Sequence, residues 1–276
     1  MTVITVRGVI KHCHLWYNAY IKEWMHMYPV LFNIAGFTIK TGEAIWLLSA
    51  VLFMVLTRNR GERLYGINSE TMTRSSVISF LGAATGAALF GMLESPQAAG
   101  GPVNLMLSLS SSGAILFGAA SMFAASQYYR MGFTAFADAA SIPAAFSIAL
   151  WRLGCLAEGC CRGTVSKAHI CLLQYPGESV ARIPYPLIEF SFDIICVFLL
   201  LKIEKILFKS GMEGRGIILA MSLALYGYFR LASDFLREDG LTSAGITAFT
   251  LFALGGTLAL ILLLRPCTPQ SARKGR

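Results

Sequence analysis

Seven apolar stretches set the limits on what this chain can become: near Glu43 to Thr57, Val77 to Leu93, Ala114 to Tyr128, Phe133 to Leu150, Leu187 to Leu201, Ile217 to Leu236 and Ala244 to Leu264. Each is long enough to cross a hydrocarbon layer alone or with its flanks. The expected fold is therefore an all-α integral membrane protein of about seven transmembrane helices. Composition agrees. Of 276 residues, 55% are hydrophobic and 14% charged, more apolar than the core of a soluble domain of this length requires. A net charge of +8 would suggest nucleic acid in a soluble protein. Here the basic residues serve first as topology signals, and with no DNA- or RNA-binding motif beside them no nucleic-acid partner is expected.

Orientation follows from the loops. Arg58, Arg60, Arg63 and Arg74 fall after the first stretch, Arg130 after the third, Lys202, Lys205, Lys209 and Arg215 after the fifth, and Arg265, Arg273, Lys274 and Arg276 in the tail. The segment from Glu94 to Ser112 has no Lys or Arg. The positive-inside rule then places the C-terminus in the cytoplasm, and the N-terminus and the Trp151 to Pro186 connection outside. Residues 1–30, with Trp16, Tyr17, Tyr20, Trp24 and Tyr28 at roughly helical spacing, suit an amphipathic helix in the membrane interface or one packed on the bundle. The division expected is an N-terminal interfacial segment at 1–30, a membrane domain at 31–266 and a basic cytoplasmic tail at 267–276.

Chemistry concentrates where the fourth stretch ends. Trp151 to Gly163 holds Arg152, Gly154, Cys155, Glu158, Gly159, Cys160, Cys161, Arg162 and Gly163. Ionisable groups at that depth are costly in hydrocarbon and mark a polar cavity or the headgroup layer. With Arg182, Arg230 and Arg237 they make five arginines near the outward ends of three stretches, a set suited to gripping a phosphate through bidentate hydrogen bonds. Snorkelling to lipid headgroups is the alternative. Arg230, Asp234 and Arg237 are spaced to share one helix face as a charge-paired ladder. Glu189 lies one turn inside a helix that opens with Pro184 and Pro186, where an arginine partner is expected.

The cysteines stay open between three readings. Cys155, Cys160 and Cys161, with His169 or Cys171, could bind metal, although C-x4-C-C is not a standard zinc spacing. Cys171 could pair with Cys160 or Cys161 on an oxidising face, or the thiols could simply pack at the helix end beside Gly154 and Gly159. Seven cysteines are an odd number, so a fully paired framework is excluded.

These residues resemble the prolipoprotein diacylglyceryl transferases. Arg152-Leu-Gly154-Cys155-Leu-Ala-Glu158-Gly159-Cys160-Cys161-Arg162-Gly163 resembles a Cys-Cys form of that family's Gly-Arg-Ile-Gly-Asn/Cys-Phe signature. Ile183-Pro184-Tyr185-Pro186-Leu187-Ile188-Glu189 resembles its His-Pro-x-Gln/Pro-Leu-Tyr-Glu, and Tyr226 to Arg237 its Tyr-Gly-x-x-Arg-x-x-x-Glu-x-x-Arg, with Asp234 for Glu. Looser matches extend the likeness to about residues 29 to 264. The chain departs from the family at Ser112-Gly113-Ala114, where the family has His-Gly-Gly, at Lys40-Thr41-Gly42, at Cys155 and at Ile183.

The resemblance implies a seven-span fold with the N-terminus outside, in a bacterial plasma membrane. It also implies transfer of the diacylglyceryl group of phosphatidylglycerol, or a related phospholipid, to the lipobox cysteine of a lipoprotein precursor, with no cofactor. Arg152, Arg230, Glu189 and Asp234 are the expected catalytic residues. Arg237, Glu158, Gly154, Gly163, Arg162, Ser112 and Tyr226 are the expected substrate contacts, and no metal ligand is assigned. Two alternatives stand beside it: a phospholipid-binding homologue without turnover, and a thiol redox or metal-handling membrane protein built on Cys155, Cys160 and Cys161.

Overall fold

A computed structural model of the chain describes residues 30–34, 37–94, 110–166, 173–175, 178–238 and 243–264. The expected interfacial segment and the basic tail lie outside the described residues, apart from Val30. Among the described residues are seven long helices: α1 (Thr41–Tyr65), α2 (Ser69–Glu94), α3 (Ser111–Tyr128), α4 (Phe133–Glu158), α5 (Tyr185–Lys209), α6 (Ile217–Ser233) and α7 (Ser243–Leu264). Three of them, α1, α2 and α4, are long and apolar enough to cross a membrane by length and composition. α5 is as long as α1 but carries Glu189, Asp193, Lys202, Glu204 and Lys205.

Helix ends outrun the apolar stretches. A helix of 25 residues, such as α1, spans about 37 Å, whereas the hydrocarbon layer is about 30 Å thick. Arg58, Arg60 and Arg63 therefore lie on α1 and Arg74 on α2, and only Gly66 to Asn68 connect the two helices. α1 begins with a one-way cap in which the Lys40 N–H donates to Glu43 Oε2 at 3.2 Å, and it stops at Gly66, whose φ of 65° a side chain would disfavour. The first turn of α6 is capped from another helix. Asp138 on α4 accepts the Gly216 N–H at 2.8 Å and the Leu219 N–H at 3.0 Å, placing a carboxylate at the positive end of the helix dipole.

The helices pack as α1 on α4, α2 on α3, α6 on α7 and α4 on α5. One core joins Ile142, Val197, Leu200, Ile217, Ile218 and Leu262; a second surrounds Met72, Phe136, Ala139 and Ala140. At the α2–α3 contact a Cβ on Gly113 would lie 2.6 Å from Phe90 Cβ, so a hydrogen there lets the backbones meet.

The bundle is all-α, as expected, with a few short strands outside it. Two small antiparallel sheets accompany the bundle: β1 (Val30–Ile34) pairs with β2 (Phe37–Lys40) just before α1, and β3 (Leu173–Gln174) pairs with β4 (Ala181–Arg182) between α4 and α5. Their strands are too short for hydrophobic alternation to register in a sequence.

Candidate functional site

The last two turns of α4 are held by aromatic stacking. Trp151 lies on Trp46 of α1 with ring centroids 4.8 Å apart and planes 15° from parallel. Gly154 makes this possible, because a Cβ there would sit 2.5 Å from Trp46 Nε1. Arg152, adjacent to Trp151, is thereby aimed at α5.

Its partner is Glu189. This carboxylate is 1% exposed and receives groups from all three neighbouring directions. Arg230 Nη1 of α6 donates to Oε1 at 2.9 Å, and the Tyr185 hydroxyl, one turn earlier on α5, donates to the same oxygen at 3.1 Å. Arg152 Nε lies 3.1 Å from Oε2 but off the line of a hydrogen bond, so that contact is an ion pair rather than a directed bond. Tyr185 also accepts from Arg230 Nη1 at 3.0 Å and meets the Ser233 hydroxyl at 3.0 Å. Phe192 and Phe229, stacked at 3.9 Å, fasten α5 to α6 beside this cluster. Side chains from α4, α5 and α6 thus converge at one end of the bundle.

The expected ladder along the sixth stretch is not a helical face. Regular α-helix ends at Ser233, and Asp234 to Leu236 form a 3₁₀ turn, which changes the angular step before Arg237. Arg237 forms a β-bridge with Gly163 and sets its guanidinium 5.7 Å from the centre of the Tyr185 ring. Further main-chain bonds tie the α4–α5 connection to the exit of α6: Thr164 N–H to Leu236 O at 2.9 Å and Glu238 N–H to Arg162 O at 3.2 Å. Gly163 is packed so closely against Ile183 that a Cβ would come within 3.0 Å of the Ile183 carbonyl carbon.

Arg162 and Arg182 form a separate network. Both pair with Glu178, Arg182 Nε at 2.6 Å, and Arg182 Nη2 reaches Glu238 at 3.1 Å while its Nη1 donates to Gly163 O at 3.2 Å. Hydrogen bonding from Arg182, then the charges of both arginines, hold the Glu178 carboxyl below its ordinary value. Arg162 also lies 5.1 Å from the centre of the Tyr175 ring and donates Nε to Gly159 O at 3.0 Å. The five arginines therefore divide into a buried cluster of Arg152 and Arg230, with Arg237 beside it, and a loop-borne pair.

Of the other residues singled out, Glu158 ends α4 against Gly42, and its buried Oε1 has no hydrogen-bond partner among the described residues. Tyr226, partly buried, lies one turn before Arg230. The side chains of Ser112 and Asp234 lie outside the described residues, as do His169 and Cys171. Cys155, Cys160 and Cys161 are free thiols whose sulfurs all lie within 4.8 Å of one another. Hydrogen bonds from Cys155 and Cys160, joined by the charges of Arg152 and Arg237, hold the Cys161 thiol below its ordinary value.

Sequence reasoning missed Tyr185 and Ser233. Tyr185 was legible in principle, since it stands four residues before Glu189 between two prolines. Trp46 carried no signal, because nothing in its own segment indicates a partner more than a hundred residues away.

Fold and cluster together define a multi-pass membrane protein with a buried arginine–carboxylate cluster at one end of its bundle. The chain belongs to the prolipoprotein diacylglyceryl transferase family, whose model matches residues 29–265. It is 22% identical over 221 residues to a phosphatidylglycerol–prolipoprotein diacylglyceryl transferase of Clostridium tetani (strain Massachusetts / E88), covering 77% of this chain and 86% of that protein. The family places it among membrane transferases of lipoprotein biosynthesis in the bacterial inner membrane.

Proposed function

We propose that this chain moves the diacylglyceryl group of phosphatidylglycerol onto the thiol of a lipobox cysteine in a lipoprotein precursor. The reaction runs at the outer face of the membrane, with seven crossings, the N-terminus outside and the C-terminus cytoplasmic. The acceptor thiolate attacks the glyceryl carbon that carries the phosphate. A carbon–sulfur bond forms, the carbon–oxygen bond breaks, and its electron pair leaves on the phosphate as glycerol phosphate.

Arg152 and Arg230 bind the phosphate and stabilise the charge that develops on it in a water-poor site. Glu189, which accepts from Arg230 and Tyr185 and pairs with Arg152, holds the two guanidinium groups in place. Glu158, with a buried oxygen that receives no hydrogen bond among the described residues, is the available acceptor for the thiol proton. Arg237 and Tyr226 flank the headgroup, and Gly154 and Gly163 allow the close packing that sets Arg152 and the connection. Arg162 belongs to the loop over which the acceptor peptide enters, and Ser112 takes the place of the family histidine.

The observation that carries this reading is the meeting of Arg152 and Arg230, from separate helices, on Glu189 of a third. Purified protein is incubated with headgroup-labelled phosphatidylglycerol and a lipobox peptide, and glycerol phosphate release is measured. Arg152→Ala and Arg230→Ala should each slow release about 10²-fold or more. Wild-type rates in either variant overturn the assignment. Ser112 in the histidine position favours a second reading, a lipid-binding homologue, which predicts retained lipid and no release from the unaltered protein.

A further inference from the structure

The geometry points to a three-thiolate site for one soft, closed-shell cation, Cu(I) or Zn(II), formed by Cys155, Cys160 and Cys161 where α4 gives way to the loop. This assignment is independent of the transferase reading. C-x4-C-C is not a spacing that brings three sulfurs together on a helix or on an extended chain. They meet because the backbone turns left-handed twice in three residues, at Gly159 with φ 68° and at Cys161 with φ 54°. The first reversal is ordinary for glycine at a helix end. The second is disfavoured for any residue with a Cβ, and it returns the last sulfur toward Cys155.

The distances suit a metal. Three sulfurs bound at about 2.3 Å to one ion lie about 3.8–4.0 Å apart in tetrahedral or trigonal geometry. The sulfurs here are all within 4.8 Å of one another, so side-chain adjustment alone closes the set. Thiolates are the ligands that select Cu(I) and zinc over harder ions. Three thiolates around a monovalent ion carry two negative charges, and Arg152 stands one helical turn before Cys155 on α4 as a nearby cation. Cys155 is buried and the other two are half-buried, so an ion is shielded on the helix side and reachable from the loop. Arg162 follows Cys161 directly and donates to Gly159 O at 3.0 Å, so a bound ion also fastens the turn that carries this arginine.

The test uses the full chain, purified without oxygen in detergent and freed of reductant. It is titrated with Cu(I) under argon and, separately, with zinc chloride. Bound metal is measured by mass spectrometry of the desalted protein, and thiolate-to-metal charge transfer by ultraviolet absorption. One ion per chain is expected, lost in Cys155→Ser and in Cys161→Ser and kept in Cys13→Ser and Cys196→Ser. The Cu(I) and zinc arms identify the ion by competition. X-ray absorption on the loaded unaltered protein, which needs no variant to fold, should find three sulfur ligands. The proposal is overturned by failure of both ions to bind stoichiometrically, by metal retained in Cys155→Ser, by a nitrogen or oxygen ligand shell, or by a disulfide among the three cysteines in the anaerobic protein.

Discussion

Replacing Glu189 by Gln is the sharpest perturbation of the arginine cluster because it preserves shape while removing the charge. The amide oxygen can still accept from Arg230 and Tyr185 at the Oε1 position, where the present distances are 2.9 and 3.1 Å. The amide nitrogen must then face Arg152 Nε, donor against donor, where the carboxylate oxygen now lies at 3.1 Å. Both arginines would lose, in a buried site, the carboxylate that they share. Breaking a buried pair in this way costs about 3–5 kcal/mol. At about 2–4 °C per kcal/mol the unfolding midpoint should fall by roughly 6–20 °C, read from tryptophan fluorescence in detergent. A second substitution separates the two arginines. Because only Arg230 makes a directed bond to Glu189, the coupling energy in a Glu189→Gln/Arg230→Gln cycle should exceed that in the Arg152→Gln cycle, within the range of about 0.5–3 kcal/mol. An unchanged midpoint, or strictly additive double variants, would mean that Glu189 does not hold the cluster.

Gly154→Ala should lower the midpoint by about 1–3 kcal/mol equivalent, since the added methyl displaces Trp46 from its stack; near-ultraviolet circular dichroism of the tryptophans checks the cause. Asp138→Ala strands the N–H groups of Gly216 and Leu219 in a buried site, at about 1–3 kcal/mol for each group, and hydrogen exchange should rise selectively in the first turn of α6. For Glu178 the sign runs from its depressed carboxyl. The unfolded chain titrates near about 4.3, so the network's contribution is complete above that value and is lost as pH falls through the lower folded value. Protection of the α4–α5 connection against acid-stable protease should therefore stay level from neutral pH to about 5 and fail below that, whereas Glu178→Gln should cut equally at all pH values.

The helices were the legible part of the fold, because burial in lipid writes a long apolar run wherever a helix crosses. Their ends were less so. Arg60 reads as a loop residue by composition, yet it sits on α1 paired with Glu204 of α5, a contact that only the tertiary arrangement creates. The ladder from Arg230 to Arg237 was read from helical spacing, and spacing is silent on where Ser233 ends the α-helix. Glu189 announced its need of a cation by being a carboxylate in an apolar run, but which arginines would answer depended on α4 and α6 packing against α5. The cysteine cluster was hidden for a related reason. Its ligand spacing fits no motif until the left-handed turns at Gly159 and Cys161 are known.

The seam between residues 162–164 and 236–238 is sewn almost wholly by main-chain groups: the Gly163–Arg237 bridge, Thr164 to Leu236 and Glu238 to Arg162. Peptide groups are the same whatever side chain they carry, so the outward face of this segment is free to acquire new shapes and charges while the guanidinium groups beneath stay in register. Under the proposed function, specificity for the incoming polypeptide can thus be rewritten along the seam without disturbing the arginines beneath it.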